Sequence, residues 1–234
     1  MALMNESENG KAKTNSAEKL LSMAEEAAAM IAATKAAMKK RKIELIAIGA
    51  STGGTEALSK VLPSLRQPLP PVLVVQHIPE GFSKLFAERM NKECELRVKE
   101  AEDGDIIKPN CVYIAPGGLH MSLIKRPDSV QINCHMGPKL HGCRPAVDVL
   151  FDSIAKQFKD GSALAVILTG IGHDGTRGML AMKAQGSPTI GQDEATSVVY
   201  GMPKSAFDAG AVDKQFPLNM IAAAIMNKVK GSEI

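Results

Sequence analysis

Three side chains that together can perform covalent catalysis each follow a separate apolar run of the sequence. They are Ser51, His77 and Asp174. A serine hydroxyl is a poor nucleophile until a neighbouring base takes its proton, and the base needs a carboxylate that fixes its tautomer and stabilises the imidazolium. The sequence therefore offers a nucleophile, a base and an orienting carboxylate. The three preceding runs are residues 45–48, 72–75 and 163–168.

The elements that must position these side chains are buried strands. Continuous apolar runs that alternate with helical patterns predict an α/β fold, a three-layer, doubly wound, mostly parallel sheet with helices on both faces. Ligands bind such sheets at the carboxyl ends of the strands, so we expect the three side chains to meet at one edge. Residues 94–136 contain turn signals at Asp103-Gly104 and Pro109-Asn110, which predict an antiparallel hairpin insert.

The turn around Ser51 has more than one interpretation. Residues 49–53 match G-x-S-x-G, the sharp strand-to-helix turn that exposes a nucleophile, and the N–H groups behind it open a helix where an oxyanion can be held. The order Ser, His, Asp differs from that of the α/β-hydrolases, so a triad here would lie on a different fold. The same glycines also fit a phosphate-binding turn or a merely tight turn, and Asp174 alone fits a helix N-cap.

Four cysteine and histidine side chains form a compact group in the sequence that suggests zinc, although their spacing matches no common zinc site. They are Cys134, His135, His141 and Cys143. A polar loop near the cleft is the competing interpretation. We favour the loop and predict no metal.

Three further candidates have simple structural interpretations. The adjacent carboxylates Asp193 and Glu194 resemble an acid/base pair, but they suit a solvated loop equally. His173 competes as the base, and its glycine-rich surroundings indicate an exposed loop. Arg144 opens a helical pattern and can clamp a carboxylate or serve as a surface or capping residue.

The composition argues against several classes of protein. Aromatic residues make up 3% of the 234 residues and Trp is absent, which argues against a protein that stacks single-stranded bases. The net charge of +3 is too small for a nucleic-acid footprint. The four cysteines show no C-x-x-C spacing, which indicates a reducing compartment. With no signal peptide and no run of about 20 apolar residues, the sequence predicts a cytoplasmic protein that does not insert into membranes.

Charge and composition divide the chain. Residues 1–42 hold 8 Lys or Arg and 5 Asp or Glu, whereas residues 43–234 hold 20 of each, so the positive excess lies in the N-terminal stretch. We predict an arm over residues 1–42, with a disordered start over 1–15 and a helix over 16–40. After the arm we predict a catalytic domain over residues 43–230 and a C-terminal tail over 231–234.

Several separated blocks make the sequence similar to the catalytic domain of the chemotaxis receptor methylesterases, the CheB family. The resemblance covers about residues 43–230, and the order and spacing of the blocks make it specific. The blocks are residues 46–54, 75–79 with Phe82, 113–118 with His120-Met121, 144–151, 168–170 through Asp174-Gly175, and 192–194 with 201–203.

The resemblance implies a Ser-His-Asp triad in which Ser51 is the nucleophile, His77 the general base and Asp174 its orienter. It also implies backbone N–H donors for the oxyanion at Thr52 and at Ile171, the second being a position where methionine is common in the family. The implied substrate is a methyl ester on glutamate side chains in the helical cytoplasmic part of chemoreceptors, with methanol as product. Many members also deamidate receptor glutamines. The resemblance implies no metal and no organic cofactor.

The main departure from the family is the segment before the first strand. The usual member begins with a phosphoacceptor receiver domain that covers the cleft, and 42 residues are too few for one. The chain is then either a stand-alone esterase or a piece of a longer protein cut at the linker. We favour the stand-alone esterase, whose activity is constitutive or is set by a separate regulatory protein. The alternatives are the same chemistry on a methylated protein outside chemotaxis, and a non-catalytic relative that binds receptors or a nucleotide.

Overall fold

The computed structural model describes residues 22–26, 29–30 and 42–231. The chain divides into two units, Met1–Arg41 and Lys42–Ile234. In the first unit, the described residues are helical. The predicted disordered start, most of the predicted helix over 16–40 and the last three residues of the predicted tail lie outside the described residues. The domain boundaries proposed from the sequence therefore stay predictions.

Strands and helices alternate along the second unit. The strands are β1 (Leu45–Ala50), β2 (Val72–Gln76), β3 (Arg97–Glu100), β4 (Cys111–Ile114), β5 (His120–Lys125), β6 (Val130–His135), β7 (Ala163–Ile167), β8 (Thr189–Gln192) and β9 (Lys214–Phe216). The helices are α1 (Gly54–Val61), α2 (Phe82–Glu93), α3 (Val147–Gln157), α4 (Thr176–Ala184), α5 (Met202–Asp208) and α6 (Leu218–Val229).

The main sheet has seven strands in the order β3-β4-β2-β1-β7-β8-β9. Every neighbouring pair in it is parallel. Strand β1 is central, with β2 on one side and β7 on the other, so the strand order reverses there. A crevice at the carboxyl ends of the strands is expected at such a reversal. The turns after β1, β2 and β7 therefore lie side by side at the carboxyl edge of the sheet.

Two hydrophobic cores lie on the two faces of the sheet. Alternate residues of β1 point to opposite faces, because the side chains of a strand alternate. Ile46 and Ile48 belong to the core that α1, α2 and α6 cover. Leu45 and Ala47 belong to the core that α3, α4, α5 and the β5–β6 hairpin cover. The predicted three-layer α/β fold is confirmed.

The antiparallel insert is smaller than the sequence predicts. Only β5 and β6 form the antiparallel hairpin, whereas β3 and β4 pair in parallel and extend the main sheet beyond β2. The β3 sequence is short and its residues are exposed or partly buried apart from Val98. Such an edge strand lacks the continuous apolar run by which the central strands were recognised.

Candidate active site

The turn that carries Ser51 links β1 directly to α1. The Ser51 N–H donates to the Thr169 carbonyl at 2.9 Å, and the Gly54 N–H donates to the Ser51 carbonyl at 2.7 Å. Gly53, the N-cap of α1, has a φ of 79°, in the left-handed region that glycine adopts without strain. The turn therefore holds the serine at the carboxyl edge of the central strand.

A second glycine lets the β7 loop approach this serine closely. A Cβ atom added at Gly170 would lie 2.7 Å from the Ser51 Cβ, a distance that side chains do not tolerate. The N–H of Gly170 donates to the Val199 carbonyl at 3.0 Å, and its carbonyl accepts from Met202 at 2.8 Å. Because residue 170 is a glycine, the loop after β7 can pack directly against the serine turn.

His77 connects the serine to the carboxylate of Asp174. Its Nδ1 lies 3.1 Å from Ser51 Oγ, and its Nε2 lies 2.8 Å from Asp174 Oδ2. The exposed fraction is 12% for the His77 side chain and 2% for that of Asp174. The structure therefore brings together all three side chains that the sequence selected. The two ring nitrogens are used in the reverse of the arrangement in chymotrypsin-type proteases.

The buried carboxylate of Asp174 is held by a helix N-terminus. It accepts the N–H of Val147 at 2.7 Å and that of Asp148 at 2.9 Å, both from the first turn of α3. Burial raises the pKa of Asp174, but the hydrogen bonds from His77 and from the two N–H groups outweigh burial and hold that pKa below its ordinary value of 3.8. The carboxylate is therefore ionised at neutral pH. Asp174 does cap a helix, but that helix is α3 rather than α4, which follows it in sequence.

The ionised carboxylate determines which nitrogen of His77 can act as a base. A carboxylate without a proton only accepts hydrogen bonds, so the Nε2 that faces Asp174 carries the hydrogen. In a neutral imidazole the other nitrogen then has a free lone pair. That nitrogen, Nδ1, faces the hydroxyl of Ser51 and can accept its proton.

Gln76 ties the serine turn to the histidine loop. Its Nε2 donates to the Ser51 carbonyl at 2.9 Å and to the His77 carbonyl at 3.1 Å. The side chain is buried, and its Oε1 has no hydrogen-bond partner among the described residues. Its sequence context indicates no role for Gln76, although the residue belongs to one of the blocks that carry the resemblance. The Gln76 amide therefore joins the two turns that carry Ser51 and His77.

Cys143 touches the same imidazole nitrogen as the serine. Its Sγ lies 3.4 Å from His77 Nδ1. Burial and the nearby charge of Asp174 raise the pKa of this thiol. The thiol therefore keeps its proton at neutral pH and is a weak hydrogen-bond donor here rather than a nucleophile.

The two predicted oxyanion donors lie on the loops that meet at Ser51. Thr52 follows the serine directly, and Ile171 follows Gly170 in the β7 loop. Among the hydrogen bonds of the described residues, none uses the backbone N–H of either residue. Their role as donors stays a prediction.

The other sequence candidates lie elsewhere or serve structural purposes. Cys134 and His135 are on β6, and no group with metal-ligand spacing among the described residues includes either of them. The Asp193 carboxylate accepts the Thr196 N–H at 3.1 Å within its own loop, whereas Arg144 donates to the Gly137 carbonyl at 2.7 Å. The His173 ring packs against His141, with the ring centroids 4.4 Å apart.

Comparisons with known proteins agree on the family. A family model described as CheB methylesterase matches residues 46–225. The chain is 51% identical over 181 residues to a protein-glutamate methylesterase/protein-glutamine glutaminase of Syntrophomonas wolfei, covering 77% of this chain and 53% of that protein. It is 48% identical over 190 residues to the enzyme of the same description from Salmonella typhi, covering 81% of this chain and 54% of that protein.

A solved structure extends the agreement to three dimensions. The structure is similar to the crystal structure of the Thermotoga maritima CheB methylesterase catalytic domain, with a TM-score of 0.78 and 40% sequence identity. The match covers 80% of this chain and 100% of that one. The chain spans about half the length of the curated relatives it matches. In the part of the chain that the structure describes, no helix is long and apolar enough to cross a membrane. By sequence and by fold, the chain belongs to the CheB methylesterase family.

Proposed function

We propose that this protein is a serine hydrolase that removes methyl esters from glutamate side chains of chemoreceptors, releases methanol, and also deamidates receptor glutamines. The observation that carries the proposal is the chain of contacts from Ser51 Oγ through the His77 ring to the buried carboxylate of Asp174. The substrate class is supported by the names of the relatives, protein-glutamate methylesterase/protein-glutamine glutaminase.

In the acylation step, Ser51 Oγ attacks the carbonyl carbon of the ester while its proton moves to His77 Nδ1. The resulting imidazolium is stabilised by the negative charge of Asp174. As the tetrahedral intermediate collapses, the C–O bond to the methoxy group breaks. His77 then gives its proton to the leaving oxygen, and methanol departs. The glutamate side chain is now an ester of Ser51.

In the deacylation step, the same imidazole activates water. His77 Nδ1 takes a proton from the water, whose oxygen attacks the acyl carbon. The bond to Ser51 Oγ breaks and the proton returns to that oxygen, which restores the enzyme and frees the glutamate carboxyl group. An amide follows the same path with ammonia as the leaving group, which accounts for deamidation.

The negative oxygen of each tetrahedral intermediate needs donors that are already in place. The backbone N–H groups of Thr52 and Ile171 are our candidates. Thr52 follows the serine, Ile171 follows the glycine that packs against the serine, and neither N–H is used among the described hydrogen bonds. Donors fixed before the reaction stabilise this charge without reorganisation, and each is worth about 10²- to 10³-fold in kcat. Because only the backbone acts, the isoleucine side chain is no obstacle.

The site of action follows from the proposed substrate. The methylated part of a chemoreceptor is helical and cytoplasmic in the family, so we propose that the protein acts in the cytoplasm on membrane-bound receptors without inserting into the membrane. A separate regulatory protein is a further proposed partner. The basic arm over residues 1–42 is the proposed point of contact with such a partner or with an acidic receptor surface.

Methanol release from methylated receptors tests the proposal. Wild-type protein and Ser64→Ala, a control that removes an exposed hydroxyl from the turn after α1, should release methanol at similar rates. Ser51→Ala should lose at least about 10⁴-fold in kcat. Full activity in Ser51→Ala would refute the mechanism. If the protein hydrolyses a small methyl ester but releases no methanol from receptors, the result would favour a methylated protein outside chemotaxis as the substrate.

A further inference from the structure

A group of potential metal ligands among the described residues shares Asp174 with the triad. It consists of His141, Asp148 and Asp174, and the three ligand atoms, one from each residue, all lie within 4.8 Å of one another. Both carboxylates are buried, with exposed fractions of 1% for Asp148 and 2% for Asp174. The His141 side chain is 27% exposed, so the group is open to solvent on one side.

The donor set matches the preferences of Zn²⁺. Imidazole nitrogen and carboxylate oxygen both bind zinc at about 2.0–2.2 Å, which places tetrahedral ligand atoms about 3.3 Å apart. His141 Nε2 already lies 3.0 Å from Asp148 Oδ2. Three protein ligands would leave a fourth position for water, as at open zinc sites.

The carboxylates keep lone pairs for a metal. Asp174 Oδ1 accepts one hydrogen bond, from the Asp148 N–H. Asp148 Oδ1 accepts the Gly178 N–H, and its Oδ2 accepts from the His141 ring. Each carboxylate oxygen has two lone pairs, so a metal could bind without displacing the backbone donors. The ion would bind the lone pair of His141 Nε2, with the hydrogen of the neutral ring on Nδ1.

A second imidazole stands beside the group. The His173 ring meets the His141 ring edge to face, with the centroids 4.4 Å apart. His173 is exposed and precedes Asp174 directly. A rotation of this side chain would offer a fourth protein ligand from the open side.

We propose that His141, Asp148 and Asp174 form an inhibitory zinc site. A cation on Asp174 neutralises the charge that stabilises the imidazolium of His77, so acyl transfer slows while the metal is bound. The inhibitory effect rests on the proposed esterase function, whereas the binding does not. Mg²⁺, which prefers six oxygen ligands and keeps its waters, should neither bind nor inhibit.

Titration calorimetry with ZnCl₂ on chelator-treated protein tests the binding directly. Wild-type protein should bind Zn²⁺, and His141→Gln, whose amide can still donate to Asp148, should bind at least about 100-fold more weakly. His135→Gln removes an imidazole outside the group and should bind like wild type. Absence of binding to wild-type protein, or equal binding by His141→Gln, would overturn the proposal.

Two further measurements distinguish the proposed zinc site from a metal site on Cys143 and His77 and from a failure of the proposed function. If Cys143→Ala loses binding while His141→Gln retains it, the ion lies on the Cys143–His77 pair and the proposal is wrong. In the methanol assay, Zn²⁺ should inhibit the wild-type protein reversibly, and His141→Gln should be active and insensitive to zinc. If no variant releases methanol, the proposed function fails, and calorimetry still decides whether the zinc site exists.

Discussion

Two histidine–aspartate pairs lie next to each other at the carboxyl edge of the sheet, and only one of them faces a serine. His77 contacts Asp174 at 2.8 Å, and His141 contacts Asp148 at 3.0 Å. Both aspartates are buried. The two pairs are therefore similar in geometry, and the difference between them lies in what the far side of each imidazole meets.

The far side of His77 meets a hydroxyl, whereas His141 packs against another imidazole. His77 Nδ1 faces Ser51 Oγ, and the His141 ring contacts the His173 ring. A base is useful in acyl transfer only where a nucleophile lies within reach of it. In the proposed mechanism, a histidine–aspartate pair is thus not sufficient for catalysis, because the pair must also lie beside the serine turn.

Exchanging the two histidines for glutamine tests this contrast most strongly. His77→Gln removes the base and should lower kcat by about 10⁵-fold or more, because the triad acts as a unit. His141→Gln keeps a donor to Asp148 and should leave kcat near the wild-type value. Methanol release at saturating substrate measures both. An equal loss of kcat in the two variants would contradict the different roles of the two pairs.

Substitution of the two aspartates by asparagine should also lower kcat to different extents, although the contrast is smaller than for the histidines. Asp174→Asn removes the charge behind the imidazolium and should lower kcat by about 10⁴-fold. The new amide N–H₂ would also face the backbone N–H groups at the start of α3, which leaves donors without an acceptor. The free energy of unfolding should therefore fall by about 1–3 kcal/mol with the fold intact. Asp148→Asn can still accept from Gly178 and can donate to His141, so its loss in kcat should be far smaller. A comparable loss of kcat in both variants, with both still folded, would contradict the assignment.

A substitution of Gln76 tests whether this residue positions Ser51 and His77. Gln76→Leu removes the amide that joins the Ser51 and His77 carbonyls, and the resulting displacement should lower kcat by about 10- to 100-fold with little change in KM. Gln157→Leu, at the far end of α3, is the matched control. If Gln76→Leu lowers the melting temperature without any loss of kcat at a temperature where it is folded, the residue is structural and does not position the site.

The smallest effect concerns stability in acid. The folded pKa of Asp174 lies below its ordinary value of 3.8, so its ionised form stabilises the fold above that value, and the contribution is lost as the pH falls through the folded pKa. The difference in unfolding free energy between wild type and Asp174→Asn should therefore be constant near neutral pH and should shrink below about pH 4. Urea unfolding at several pH values measures it. A difference that grows in acid would have the wrong sign.

The contact of Ser51, His77 and Asp174 could be predicted from the sequence, because each of the three residues follows a recognisable strand. The runs before Ser51, His77 and Asp174 are continuous and apolar, and parallel sheets place such ends at one edge. By contrast, β3 and β4 are short, and the turns between them look like those of a hairpin. They join the main sheet because β4 pairs with β2 and β3 pairs with β4, and the first of these is a long-range contact that no local pattern records.

The second pair could not be predicted in the same way. His141 was considered with nearby cysteines, and Asp148 appeared only as part of a helical block. Their contact depends on how the loop before α3 folds back onto its first turn, where His141 has a φ of 52°. Gln76 was missed for a related reason, because its role depends on two backbone carbonyls whose direction the sequence does not reveal.

Covalent labelling tests the central assignment most directly. A fluorophosphonate, which reacts with activated serines, would be incubated with wild type, His77→Gln and His141→Gln, and the modified residue would be located by peptide mass spectrometry. We predict one adduct, on Ser51, whose rate of formation collapses in His77→Gln and is unchanged in His141→Gln. An adduct on another residue, or equally fast labelling of Ser51 in His77→Gln, would contradict the assignment of the first pair to the triad.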